Sequence, residues 1–169
     1  ARTASEQFLD DVLLKGSAEK NIFGIANQPN GLDYAAPNGA AASPLWANKT
    51  GEEILKDLFG MVQKITQTSK GVEQPNRILL PQTLFELIRD KRVNPGFNET
   101  TILKAFLTNA PPGFRVDPWY KLETASAGAG RLAICYRDDP DALLGVIPLE
   151  FSMIDPQTAG FETVIYCHA

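Results

Sequence analysis

The hydrophobic period of this chain changes near the Pro111-Pro112 pair, and that change limits the folds open to it. Before the pair, apolar residues recur mostly at spacings of three and four, whereas after it they alternate or form short blocks. Helices early and strands late imply an α+β domain in which helices pack around a mainly antiparallel sheet. With 169 residues and 44% hydrophobic content, the chain is long enough for one ordinary core.

The helical half is punctuated by recognisable caps. Ala4, Phe8, Leu9, Val12 and Leu13 predict an amphipathic helix from about Thr3 to Lys15, stopped by Gly16. The stretch "GLDYAAPNGAAASPLWANK" reads as a long connection anchored at its far end by Trp46. In "TGEEILKDLFGMVQKITQTS", Thr50 and Glu53 form a capping box, and Ile54, Leu55, Leu58, Phe59, Val62 and Ile65 share one face. "NRILLP" predicts a short buried strand, "PQTLFELIRDKRV" a second helix, and "NETTILKAFLTNAPP" a third that begins at Asn98. "FRVDPWYKL", "RLAICYR", "ALLGVIPLEFSMI" and "FETVIYCHA" then read as strands, separated by the turn-like "TASAGAG", "DDPD" and "DPQTAG". "FETVIYCHA" is expected to pair with "LLGVIPLEFSMI" and to leave one edge open.

Residue chemistry excludes several functions. Sixteen basic against twenty acidic residues give a net charge of −4, with Lys and Arg spread along the chain, so no basic stripe exists to track a phosphate backbone. The longest apolar runs fall well short of the roughly 20 residues that cross a bilayer, so no membrane partner is expected. "GAGRLA", Gly128 to Ala133, fits the G-x-G-x-x-A dinucleotide pattern, but a strand follows it where that motif needs a helix. Asp138, Asp139 and Asp141 in "RDDPDA" could offer oxygen ligands, yet they lack calcium-loop spacing, and Pro140 favours a solvated turn. His168 is the sole histidine, and its strand neighbour Cys167 would face the other way, which disfavours zinc and Cys-His chemistry. Cys135 and Cys167 read as buried free thiols. Asn48 in "NKT" and Asn98 in "NET" read as residues that begin helices rather than glycan acceptors. Phe114, Trp119 and Tyr120 read as core aromatics rather than a stacking platform. Neither catalytic nor cofactor-binding nor metal-binding residues emerge.

The segment "NIFGIANQPNG" has no Lys or Arg between Asn21 and Gly31, so it reads as a joint rather than an anion-binding loop. Ile22, Phe23 and Ile25 are expected to be buried there, with Gly24, Asn27, Pro29 and Gly31 redirecting the chain.

The order of these elements resembles the major capsid protein family of tailed bacteriophages and the related encapsulin shells. In that family a spine helix ends in a Gly-containing turn, and a "GI-x-G-L-x-N-x-P"-like segment leads to the axial domain. Ile22, Gly24, Ile25, Asn27 and Pro29 stand at the matching places. The resemblance continues through "TGEEILKDL", "NRILLPQTLFELI", "LLGVIPLEFSMIDPQ" and "FETVIYC", although Lys15-Gly16-Ser17 replaces a common Gly-Asp. It implies a phage capsid-type fold with residues 1–20 as the end of the spine helix, 21–49 as joint and loop, and 50–169 as an axial-type domain. The N-terminal arm, extended loop and final strands of a complete subunit are not in this sequence, so a piece of a longer subunit is expected. The implied function is structural, a subunit that self-assembles into an icosahedral shell around phage DNA in the virion, after assembly in the host cytoplasm. Implied partners are copies of itself, scaffold, maturation protease and portal proteins, and packaged DNA held non-specifically. The alternatives are an encapsulin-type shell or, from another class, a small α+β enzyme or ligand-binding domain. A deep pocket with a perturbed carboxylate would mark that last reading.

Overall fold

The structure is a computed structural model that describes residues 2–17, 19–96, 98–126 and 130–142, with strand segments 152–153, 157–159, 162–164 and 167–168. The chain divides into two compact units, one of residues 29–143 and one of residues 1–28 with 144–169.

In the unit holding the N-terminus, α1 (Arg2–Lys15) stops where Gly16 takes a φ of +71°, a conformation that costs glycine little. A Cβ on Gly16 would run into the Ile22 carbonyl, because β1 (Gly16–Ser17) pairs closely with β2 (Ile22–Phe23). Asn27 then locks the turn: its carbonyl accepts from the Gly24 N–H at 2.7 Å, and its amide donates to the Lys15 carbonyl at 2.8 Å. One of the open carbonyls at the end of α1 is thereby satisfied. The expected burial fails, since Ile22 and Phe23 are 47% and 50% exposed. Successive strand residues face opposite ways, and a two-residue strand with one neighbour cannot shelter both. Among the α1 residues whose side chains are described, 7–15, Leu14 is buried, whereas Phe8 and Leu13, expected inward, are exposed. Gly24 lies against the Leu14 carbonyl, so the turn covers that side of the helix instead.

The 29–143 unit begins with an irregular connection that ends in a 3-10 turn at Trp46–Asn48. Next comes α2 (Gly51–Thr68), with the capping box read from the sequence. Thr50 Oγ1 accepts from the Glu53 N–H at 3.3 Å, and Glu53 returns a carboxylate oxygen to the Thr50 N–H at 2.8 Å. The other Glu53 oxygen accepts from the Ala40 N–H at 2.7 Å, which ties the connection to the helix start. Along the chain follow β3 (Arg77–Leu80), α3 (Gln82–Asp90), β4 (Arg92–Asn94), β5 (Asn98–Thr101), α4 (Ile102–Asn109), β6 (Arg115–Pro118), a 3-10 turn at Tyr120–Thr124, and β7 (Ile134–Tyr136). β3 is the middle strand of a three-stranded sheet, parallel to β6 and antiparallel to β7. Ile54, Leu58 and Met61 from α2, Ile78 and Leu80 from β3, Ile88 from α3, and Ile102 and Phe106 from α4 form the core. The Phe106 ring sits 4.9 Å from Phe59 and meets Phe114 edge-on at 5.2 Å.

Several expected boundaries move, each for a local reason. The third helix begins after Thr101, whose hydroxyl accepts from the Lys104 N–H at 3.4 Å, rather than at Asn98. Residues 98–101 instead pair with β4, a role that suits the β-branched Thr100 and Thr101. α3 ends at Asp90 because Pro95 disfavours helix at Asn94 and the preceding residues are taken up by that pairing. "RLAICYR" becomes strand only at Ile134, since the Leu132 N–H donates to the Leu122 carbonyl at 3.0 Å and holds the approach against the 3-10 turn.

Back in the first unit, β8 (Ser152–Met153) pairs antiparallel with β11 (Cys167–His168), the contact expected between the two late segments. β9 (Gln157–Ala159) and β10 (Glu162–Val164) form a second antiparallel pair, so half of the expected turn "DPQTAG" is strand. Residues 143–151, most of "ALLGVIPLEFSMI", lie outside the described residues.

Phe106 is completely buried and joins two aromatic contacts. Phe106→Ala should therefore lower the stability of the 29–143 unit by about 3–5 kcal/mol, read as a reduced urea midpoint with an unchanged slope.

Candidate functional site

The motifs that could carry chemistry are dispersed or occupied. Of "GAGRLA", residues 128 and 129 lie outside the described residues, Gly130 bridges to Ser126, and 131–133 lead into β7 without opening a helix. Asp138 and Asp139 are ion-paired to Arg77 and Arg137 rather than converging on a common point. Among the described residues, no group of three His, Cys, Asp or Glu side chains is placed to hold a metal ion. Burial pushes the Cys135 thiol up to about 12, so it is protonated at neutral pH and a poor nucleophile. Cys167 and His168 lie on β11, and their side chains fall outside the described residues. The aromatic cluster splits: Phe114 is buried against Phe106, while Tyr120 is exposed. Among the described residues, no helix is long and apolar enough to cross a membrane.

An open groove of about 1170 Å³ lies in the 29–143 unit, lined by Tyr34, Leu45, Met61, Leu84 and Leu132 among others. Beneath it lies a cluster that periodicity does not anticipate. Asp57 sits on the inward face of α2 between Ile54, Leu58 and Met61, and one of its oxygens accepts two bonds. Trp46 Nε1 donates at 2.9 Å and Lys49 Nζ at 2.5 Å. Both charged side chains are nearly sealed from water, at 1% and 3% exposure. Lys91 Nζ donates in turn to the Lys49 carbonyl at 2.5 Å, linking the end of α3 to the same point. Tyr34 lies across α2 at Gly60, where any Cβ would strike its hydroxyl. Burial raises the pKa of that phenol, with Asp57 adding to the effect.

At the groove rim, Glu123 accepts from the Thr83 N–H at 2.7 Å, from Thr83 Oγ1 at 3.0 Å and from Arg131 Nε at 2.9 Å. It thereby caps the start of α3 from forty residues away, where Pro81 has no capping side chain. The Thr83 N–H bond, followed by Arg131, holds the Glu123 carboxyl below the usual carboxylate range.

Of the carboxylates that line the groove, Asp33, Asp57 and Glu123, the last two are therefore spoken for. Asp57 is bound by an indole and an ammonium, and Glu123 is shifted toward the ionised form, the opposite of a general acid poised near neutrality. The sign expected of an enzyme, a deep pocket with a perturbed carboxylate, is met only in part: the groove is open, and the perturbed Glu123 at its rim is held ionised by the bonds that cap α3. This arrangement fastens structure. Sequence reading missed it, although a signal was present: a lone Asp at helical spacing within an apolar face requires a buried partner.

Comparison with known proteins agrees with a structural role. The family described as "Major capsid protein" matches residues 1–167. Among solved structures, a chain from the capsid of Myoviridae phage XM1 has the same fold, with a TM-score of 0.80 at 17% identity. The match covers 98% of this chain and 55% of that one, so this chain spans about half the length of that neighbour. No curated protein matches.

Removing the carboxylate would leave Lys49 buried and unpaired. Asp57→Ala should cost about 3–5 kcal/mol in urea unfolding, well beyond the effect of deleting an exposed pair such as Arg92 with Glu99.

Proposed function

The chain belongs to the major capsid protein family, matched over residues 1–167, and we propose that it builds an icosahedral shell around phage DNA as part of a longer subunit. The observation that carries this reading is a family match along nearly the whole chain. It is joined by an α+β fold in which the buried polar side chains of the described residues serve to hold the fold together.

A shell subunit needs a body that keeps its shape and surfaces that repeat. The closed core of the 29–143 unit, its capped helices and its pinned connection supply the first. Head-to-tail contacts between two different surfaces of identical chains close into rings when the rotation allows it, which is how one chain can generate five- and six-fold capsomers. In this reading residues 1–20 are the end of a spine helix, 21–49 the joint and loop, and 50–169 the axial-type domain that meets neighbouring copies. The principal partner is then another copy of the chain, with scaffold, maturation protease and portal proteins acting during assembly. A net charge of −4 suits confinement of DNA without adhesion to it. The site of action is the virion, after assembly in the host cytoplasm.

Expression of the complete subunit followed by electron microscopy tests the proposal. Closed shells of uniform diameter are expected. A protein that stays monomeric or dimeric in sedimentation under all assembly conditions would contradict it.

A further inference from the structure

The acidic stretch "RDDPDA", which lies beyond the last strand of the three-stranded sheet, is held in place by side chains rather than by a ladder. Strand pairing ends with Tyr136 opposite Arg77. Past that point Arg137, Asp138, Asp139, Asp141 and Ala142 are tied to the segment 73–77 or to their own turn. The Asn76 N–H donates to the Tyr136 carbonyl at 3.2 Å, and the Asn76 side chain accepts from the Asp138 N–H at 2.6 Å and donates to the Asp138 carbonyl at 3.3 Å. Arg77 spans the sheet, with Nε on Asp117 of β6 at 2.9 Å and Nη1 on Asp138 at 2.7 Å. Arg137 reaches Glu73 at 3.2 Å and Asp139 at 2.9 Å, while Asp139 accepts from the Asp141 N–H at 3.0 Å. The unit ends immediately afterwards, at residue 143.

We propose that Asn76, Arg77 and Arg137 form an ionic strap that fastens residues 137–142 to the 29–143 unit and lets go in high salt before the unit itself unfolds. The paired side chains are 30% to 49% exposed, so solvent ions can screen them, unlike the sealed Lys49–Asp57 pair. The groups that face one another are Glu73, Arg77, Asp117, Tyr136, Arg137, Asp138 and Asp139, and the adjoining segments add Lys70, Arg115 and Asp141. Asp139 accepts from the Asp141 N–H and pairs with Arg137, both inside the segment 137–142, so these bonds steady its turn, while Glu73, Asn76 and Arg77 make the attachment.

Hydrogen exchange read by mass spectrometry on the 169-residue chain tests this. Peptides covering 137–142 are compared with peptides from α2 at pH 7, with and without about 1 M salt. Protection at 137–142 should fall by about tenfold in salt while α2 keeps its own. Arg77→Gln at low salt should reproduce the loss. Unchanged protection at 137–142 would overturn the strap. So would its loss together with α2 both in salt and in Arg77→Gln, because the segment would then have no separate release.

Discussion

An ammonium and a carboxylate, both removed from water and 2.5 Å apart, set the constraint on which the 29–143 unit depends. Each charge alone would be costly to bury by several kcal/mol, so the interior tolerates Lys49 only beside Asp57 and Asp57 only beside Lys49. Lys49 lies at the end of the connection and Asp57 two turns into α2, so their meeting decides where the connection docks. Trp46 follows from it, because its indole shares the same oxygen. Lys91 then brings the end of α3 to the Lys49 carbonyl, and Glu53 captures Ala40 one helical turn away. An apolar contact could supply comparable stability, but it would not single out one docking position among several. The value of a buried pair lies in that selectivity.

The same economy of polar groups bears on function. Every buried side-chain nitrogen or oxygen among the described residues has a partner. Asp57 and Glu123 at the groove are committed to holding helices and loops, and the buried thiol is protonated. A body held in this way suits the shell subunit proposed for this chain, which belongs to the major capsid protein family.

Much of this was legible in the sequence, and the reason differs from element to element. Thr50 and Glu53 announced α2 because a capping box is a local interaction between residues three apart. Gly16 announced the end of α1 because only its backbone tolerates the turn that follows. Asn98 misled, since the same residues that begin helices also fit an edge pairing, and the partner β4 lies outside any local window. Ile22 and Phe23 misled more deeply: hydrophobicity predicts burial only where some other surface arrives to cover it. The polar anchors were the least legible. Glu123 caps α3 across forty residues, and Asn76 ties down Asp138 across sixty-two, distances at which residue type gives no hint of a partner. Asp57 alone left a trace, as a charge out of place on an apolar face.

A double-mutant cycle on Lys49 and Asp57 tests the central constraint most directly. Urea unfolding would be followed by tryptophan fluorescence for Lys49→Met, Asp57→Leu and the double variant. If the pair acts as a unit, each single change strands one buried charge, and the double variant recovers much of the loss, giving a coupling energy of about 2 kcal/mol or more. Additive losses, with the double variant as damaged as the sum of the singles, would show that the two charges do not depend on each other and would contradict this account.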